Sequence, residues 1–334
     1  MASCAYSRPR RPSECEKDVP VAFVDDDFTR SHTFVRTLGA GAEGVAELWA
    51  NRKTGTQVVA KILITPDEIV GLPEEVYYYK YAPKLSLIVR ILGFYPNITE
   101  HHSRLVLEYC NLGSLDDLKT RLAHVGMHIP EALAIHFLWQ IIHVVAALQT
   151  GYGSDGRFTP MSHGDLYYKN VLVHIPSPAA LPEIKLADFG RAKIPETTPC
   201  PDLFEQYLEQ DRAFVGDIMY DLCFGKSLLD GPKEEALIHQ AMEEDQDWFK
   251  VNGYCNRRWH TETTSIARST AYSESFKQLV TTLHELQYLD PSDIPGETEW
   301  FEYAMAETAK LRVSDAELRR VWLQVEEALQ KTAP

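Results

Sequence analysis

The sequence lacks several things, and each absence narrows the reading. No apolar run approaches the about 18 residues a membrane-spanning helix needs, so no membrane partner is expected. Positive charge is in deficit: 33 Lys and Arg stand against 48 Asp and Glu, for a net charge of −15. With no basic stripe carrying interleaved aromatics, nucleic acid is not an expected partner. Cysteine is sparse and scattered at Cys4, Cys15, Cys110, Cys200, Cys223 and Cys255, with no Cys-x-x-Cys pair. Reduced thiols in an intracellular protein follow from that usage. Histidines such as His239, His260 and His284 show no metal-ligand spacing, so zinc is not expected. Met1-Ala2-Ser3-Cys4-Ala5-Tyr6 carries no signal-peptide core. A cytoplasmic or nuclear location is expected.

What is present suits a chain of two lobes, 334 residues long and 45% hydrophobic. Residues 1–27, broken by Pro9, Pro12 and Pro20, read as a disordered arm. Its cluster Arg8-Pro9-Arg10-Arg11 reads as a solvated tail, with a nuclear address as the other reading. From Phe28 the pattern turns strand-like. Thr33–Leu38 alternates and breaks into Gly39-Ala40-Gly41-Ala42-Glu43-Gly44. Ala46–Ala50 and Gln57–Leu63 then flank Lys53-Thr54-Gly55, a hairpin signal. A glycine loop followed by a hairpin, not a helix, suits a flap over phosphates, because backbone N–H groups without a neighbouring Cβ can approach phosphate oxygens closely.

A helix is expected over 66–83, bearing Glu74 and Glu75. Glu131–Thr150 is amphipathic through Leu133, Phe137, Leu138, Ile141, Val145 and Leu148 and reads as a buried central helix. Further helices are expected over 232–248, 274–289 and 299–311. A last one is opened by the capping box Ser314-Asp315-Ala316-Glu317. Between these lies His163-Gly164-Asp165-Leu166-Tyr167-Tyr168-Lys169-Asn170, then the apolar runs Val171–Val173 and Ile184–Leu186, then Asp188-Phe189-Gly190. Two carboxylates and an amide delivered beside short strands are hard oxygen donors of the kind Mg²⁺ prefers.

These motifs together resemble the eukaryotic protein kinase superfamily, over about residues 28–330. The resemblance implies an α+β, bilobal protein-kinase-like fold, with a small β-rich N-lobe over 28–110 and a larger helical C-lobe over 111–334. It implies ATP and Mg²⁺ as cofactors and a protein substrate whose identity the residues do not reveal. Asp165 would be the catalytic base, Lys61 the cation on the phosphates, and Lys169 a neutraliser of the transferring group. Asn170 and Asp188 would hold the metal. Leu38, Gly39, Gly41, Gly44, Ala60, Lys61, Glu75, Glu108, Cys110 and Leu172 would contact the nucleotide or order its contacts. Glu75 is the helix acid assigned to Lys61, with Glu74 the other candidate; Leu107 would guard the inner pocket. Residues 209–222 would form the family's buried helix, with its Asp211 anchoring the catalytic loop.

The sequence also departs from the family pattern. Gly164 stands where many members place an Arg that receives a phosphorylated activation loop, so activity independent of phosphorylation at Thr197 or Thr198 is expected. Tyr167 stands where serine/threonine kinases place Lys, and Lys169 where many tyrosine kinases place Arg. Glu43 puts a carboxylate at the flap tip, and Ala46 replaces a Val. No Ala-Pro-Glu follows Asp188; Arg312 would be the Arg that usually meets its Glu, with Glu205 a possible substitute acid. A Ser/Thr protein kinase is the first reading. An aminoglycoside- or choline-type phosphotransferase and a pseudokinase scaffold stay open.

Overall fold

The computed structural model describes residues 25–41, 44–64, 68–69, 72–97, 102–151, 158–178, 180–224, 269–285 and 297–331. The expectations for Glu43, the helix over 232–248, the arm before Asp25, Cys4, Cys15, Cys255, His239 and His260 lie outside these residues. The architecture is α+β and the chain divides into two compact units. One holds the chain up to Asn111 with Val144–Asp165 and Lys185–Leu208. The other holds Leu112–His143, Leu166–Ile184 and Glu209 onward.

The first unit begins with α1 (Asp25–Ser31) and then β1 (His32–Gly41), β2 (Gly44–Asn51) and β3 (Gln57–Ile64). A two-residue pair follows, β4 (Glu68–Ile69) and β5 (Leu72–Pro73), then α2 (Glu74–Tyr79), β6 (Ile91–Asn97) and β7 (His102–Glu108). The five longer strands form one antiparallel sheet in the order β1-β2-β3-β7-β6. The β2–β3 turn is fixed by Asn51, whose side-chain oxygen accepts from the N–H groups of Lys53 (3.0 Å) and Thr54 (3.1 Å), while Gly55 takes φ +71°.

Two expectations change here. The span expected as an arm, residues 1–27, overlaps α1, which starts at Asp25. Phe28 anchors it: its fully buried ring stacks on His32 (4.4 Å), meets Trp49 and Tyr95 edge-on, and lies 5.0 Å under the Arg104 guanidinium. The helix expected over 66–83 contracts to Glu74–Tyr79. Proline explains this. Pro73 sits at the N-cap with φ −51° and ψ 139°, and a proline pushes the residue before it into extended backbone. Leu72 accordingly lies in a strand.

In the second unit, α3 (Leu115–His124) opens with a reciprocal cap in which Asp117 N–H donates to Ser114 Oγ and Ser114 N–H to Asp117 Oδ2. The α4 helix (Glu131–Thr150) is long and apolar enough to cross a membrane by length and composition alone, yet Leu133, Phe137, Leu138, Ile141 and Leu148 are wholly buried inside the protein. The short strands β8 (Val171–His174) and β9 (Glu183–Leu186) pair, with β9 running on into the first unit at Lys185. The helix expected from Glu209 starts at Pro201 as α5 (Pro201–Cys223), since proline's fixed φ suits the first helical position. The α6 (Glu274–Glu285), α7 (Glu297–Leu311) and α8 (Asp315–Gln330) helices complete the described residues. Ser314 caps α8 by accepting from Glu317 N–H. Within this unit His284, fully buried on α6, lies 2.8 Å from Asp217 of α5.

The loop glycines are not equivalent. A Cβ on Gly39 would meet no atom within 4 Å, whereas a Cβ on Gly44, at φ +149°, would fall 2.0 Å from the Ile62 carbonyl oxygen. Gly44 is therefore required by the β3 backbone beneath it, whatever the loop binds. Gly44→Ala is expected to cost about 2–3 kcal/mol and several degrees of Tm. Gly39→Ala is expected to leave Tm within about 2 °C of the parent; thermal denaturation followed by circular dichroism reads both.

Candidate active site

The site is built outward from β3. Side chains alternate along a strand, so Lys61 and Val59 point to one face and Ala60 and Val58 to the other. Ala60 is fully buried in a cluster with Phe28, Val58 and Val106. This corrects the expectation that Ala60 contacts nucleotide: it lies on the sheet face away from Lys61, and Val59 is the residue that shares the lysine's face.

Lys61 Nζ lies 2.7 Å from Glu75 Oε2 and donates to Asp188 Oδ1 at 2.8 Å. Of the two helix acids, then, Glu75 meets the lysine. Glu74 instead stands 3.1 Å from the Tyr78 hydroxyl and 3.5 Å from Lys193 Nζ. Glu75 is 4% exposed and Lys61 13%, so the ion pair is largely withdrawn from water, while Asp188 keeps 32% exposure. Burial by itself lowers the pKa of Lys61. The charges of Glu75 and Asp188 and their hydrogen bonds more than offset that, and the ammonium is held above the ordinary value of 10.5.

Asp188 reaches Lys61 because its segment is stitched into the first unit. Val89 N–H donates to Leu186 O (2.9 Å) and Leu186 N–H to Leu87 O (2.8 Å). Lys185, itself buried, donates to Ser86 O (2.7 Å) and pairs with Glu108 at 3.0 Å. Asp188 is the only non-glycine at positive φ (+66°) among the described residues. Such a backbone costs of order 1 kcal/mol or more and persists only where its surroundings impose it. Here the next side chain, Phe189, is fully buried between Tyr79 of α2 (4.7 Å) and His163 (4.9 Å, edge-on).

His163 links the two motifs. It is wholly buried, its Nε2 stands 2.9 Å from the Ala187 carbonyl oxygen, and Asp165 N–H donates to its Nδ1 at 3.3 Å. One neutral tautomer satisfies both contacts, with the proton on Nε2. Gly164 between them takes φ +71°, and a Cβ there would fall 2.2 Å from the Arg191 carbonyl oxygen. This glycine thus lets the chain after Asp188 lie directly against the loop carrying Asp165.

The remaining expected positions divide as follows. Leu38 is 37% exposed on β1, and Gly39 and Gly41 pair with Ala46 and Gly44 across the β1–β2 hairpin. Glu108 N–H already donates to Arg90 O, which leaves at most its carbonyl for a ligand. Cys110 is buried, and burial pushes its thiol up to about 12, so it stays protonated at neutral pH. Lys169, Asn170 and Leu172 belong to the second unit. There Lys169 lies 3.9 Å from Asp116 as an exposed, loose pair, Asn170 N–H closes a turn onto Tyr167 O, and Leu172 bridges to Ser114. Asp211 is buried on α5. Arg312 lies with its guanidinium 4.7 Å over the Trp139 ring. The sequence pattern named His163 within its motif without a role of its own, and did not single out Tyr79. The one available signal for Tyr79 was its position a helical turn after Glu75, which puts both on one face of α2.

The family model of the protein kinase domain matches residues 32–209, more than half of the chain. With that match and this fold, the chain belongs to the protein kinase domain family.

Removing one member of a buried ion pair strands the other. Lys61→Met is expected to destabilise the protein by about 3 kcal/mol, and Glu75→Gln in that background to recover part of the loss; a urea-denaturation cycle over the four proteins measures it. The sign with pH follows from the raised lysine. Its contribution is whole below the unfolded value near 10.5 and is lost as pH rises through the higher folded value, so the Lys61→Met protein should lose less stability than the parent on going to strongly alkaline pH.

Proposed function

We infer that this family member is an active, ATP- and Mg²⁺-dependent protein kinase that phosphorylates serine or threonine hydroxyls. The observation that carries the reading is Lys61 held between Glu75 and Asp188 at 2.7 and 2.8 Å, with Asp165 tied through His163 to the chain just before Asp188.

Phosphoryl transfer asks the protein for positioning and charge neutralisation more than for covalent chemistry. Lys61, fully charged and fixed by two acids, would bind phosphate oxygens without spending entropy on locating itself. The Gly39 and Gly41 backbone would lie over the same phosphates, and the open space above Gly39 is the room such an approach needs. Asp165 would accept the proton-bearing hydroxyl of the acceptor and orient it. Lys169 would balance charge on the transferred group.

The donor chemistry fits magnesium. Asp188 offers a carboxylate that is one-third exposed while its neighbours Ala187 and Phe189 are buried. Mg²⁺ commonly takes one or two protein oxygens and completes its shell with water and phosphate. Asp188 and Asn170 are the two residues assigned to it. When bound, the ion would supply charge compensation between the phosphates.

One observation favours the small-molecule reading instead: α5 begins at Pro201, so only a short irregular stretch after Gly190 is left to dock a peptide. Acceptor class is the quantity to measure. Purified protein with labelled ATP and Mg²⁺ is expected to label generic protein acceptors, and Asp165→Asn to lower the rate by on the order of 100-fold or more. Transfer only to small alcohols or aminoglycosides would establish the phosphotransferase reading, and nucleotide binding without transfer the scaffold. Pretreatment with phosphatase, removed before assay, is expected not to lower the rate, since Gly164 has no side chain with which to receive an activating phosphate.

A further inference from the structure

The α2 helix carries Glu75 but has little to hold it in place by itself. It is six residues long, preceded by two prolyl-bounded strand residues, with no side-chain hydrogen bond at its N-cap. Helices this short are not stable alone, so its position is set by contacts from outside. Lys61 supplies one through Glu75, and a second group comes from the chain after Asp188. The Tyr78 hydroxyl, on a side chain only 1% exposed, stands 3.1 Å from Glu74 Oε1 and 3.1 Å from Thr197 Oγ1. Lys193 Nζ stands 3.5 Å from Glu74 Oε1 and 5.7 Å over the Tyr78 ring. Thr197 in turn sits in a single 3-10 turn (Pro195–Thr197), its Oγ1 within 3.2 Å of Ile194 O.

The other end of this segment is fastened beside the catalytic-loop motif. Lys193 and Ser162 exchange both backbone hydrogen bonds at 2.9 Å, and Ser162 Oγ donates to Tyr207 O at 3.1 Å. Arg191 lies against Gly164. The segment from Arg191 to Thr198 therefore spans from the loop bearing Asp165 to the helix bearing Glu75.

We propose that Glu74, Tyr78, Lys193 and Thr197 form a neutral latch that seats α2, and with it Glu75 on Lys61, in the unmodified protein, and that negative charge at Thr197 opens it. The four are positioning residues, and the proposal rests on the kinase reading only for its catalytic consequence. The charge count decides the direction. The latch contains one acid and one cation, and that cation is already shared with Glu74. An anion at Thr197 would face Glu74 across a single phenol and would remove the hydroxyl that meets Tyr78. Like charges at this range repel, and an anion stabilises only where unspent cations receive it. Burial, reinforced by Glu74, holds the Tyr78 phenol in its neutral, donating form. A latch of this kind makes an added phosphate a disruption, the opposite of the usual activation-loop response.

The test uses the full chain and two readouts. Hydrogen–deuterium exchange is followed in peptides covering 74–79 and 190–198, with α8 as the internal reference. Tyr78→Phe and Thr197→Val are each expected to speed exchange in both segments together by about three- to tenfold, and Thr197→Glu by at least as much, with α8 unchanged. Thr197→Ser, which keeps the hydroxyl, is expected to exchange like the parent. In turnover, kcat/KM for ATP should fall in the same order, with Thr197→Glu lowest and Thr197→Ser within about twofold of the parent. Exchange in 74–79 unmoved by Thr197→Val, or slowed by Thr197→Glu, overturns the latch. A parent protein that transfers no phosphoryl group while its two segments loosen together keeps the latch and removes the kinase reading.

Discussion

The arrangement depends on one ammonium group kept charged out of water. Desolvation works against Lys61, and an isolated lysine so placed would tend to neutralise. Two carboxylates on separate stretches of chain reverse that tendency. Because each contact is under 3 Å, neither acid can shift far without exposing the cost of the lysine's burial. The interaction is thus a constraint on geometry before it is a source of stability. It ties together β3, α2 and the turn after β9 at one point, alongside the Tyr79–Phe189 ring contact and the hydrogen bonds of Leu186.

Everything else nearby serves to bring those carboxylates into range. Asp188 arrives through a strained backbone, held by a Phe189 ring that has no room to move between Tyr79 and His163. Glu75 arrives on a helix too short to place itself, whose Tyr78 and Glu74 meet Thr197 and Lys193. Gly164, with no side chain, lets the Arg191 backbone pack directly against the loop that carries Asp165.

Much of the fold could be read from the chain. Alternation and the turn at Lys53-Thr54-Gly55 located the β2–β3 hairpin, and helical spacing located α4, because strand and helix periods are local properties. The reading failed where one proline outweighed a favourable composition, as at Pro73, and where a short helix was held by a distant ring, as with Phe28 in α1. Ala60 shows a subtler failure. A motif names neighbours in sequence, but a strand sends neighbours to opposite faces, and only its burial with Phe28 and Val106 revealed which face it joined.

What the sequence determined unaided was the inventory: a lysine in an apolar strand, a helix acid, two aspartates and an asparagine beside short strands, and a glycine-rich break ahead of a hairpin. Their chemistry follows from residue type and local backbone. Only the tertiary structure decided which acid meets the lysine, that His163 joins Asp165 to the chain before Asp188, and that Thr197 touches Tyr78. Those are contacts between residues far apart in the chain, and no periodicity or propensity encodes the distance across which such a pair will close.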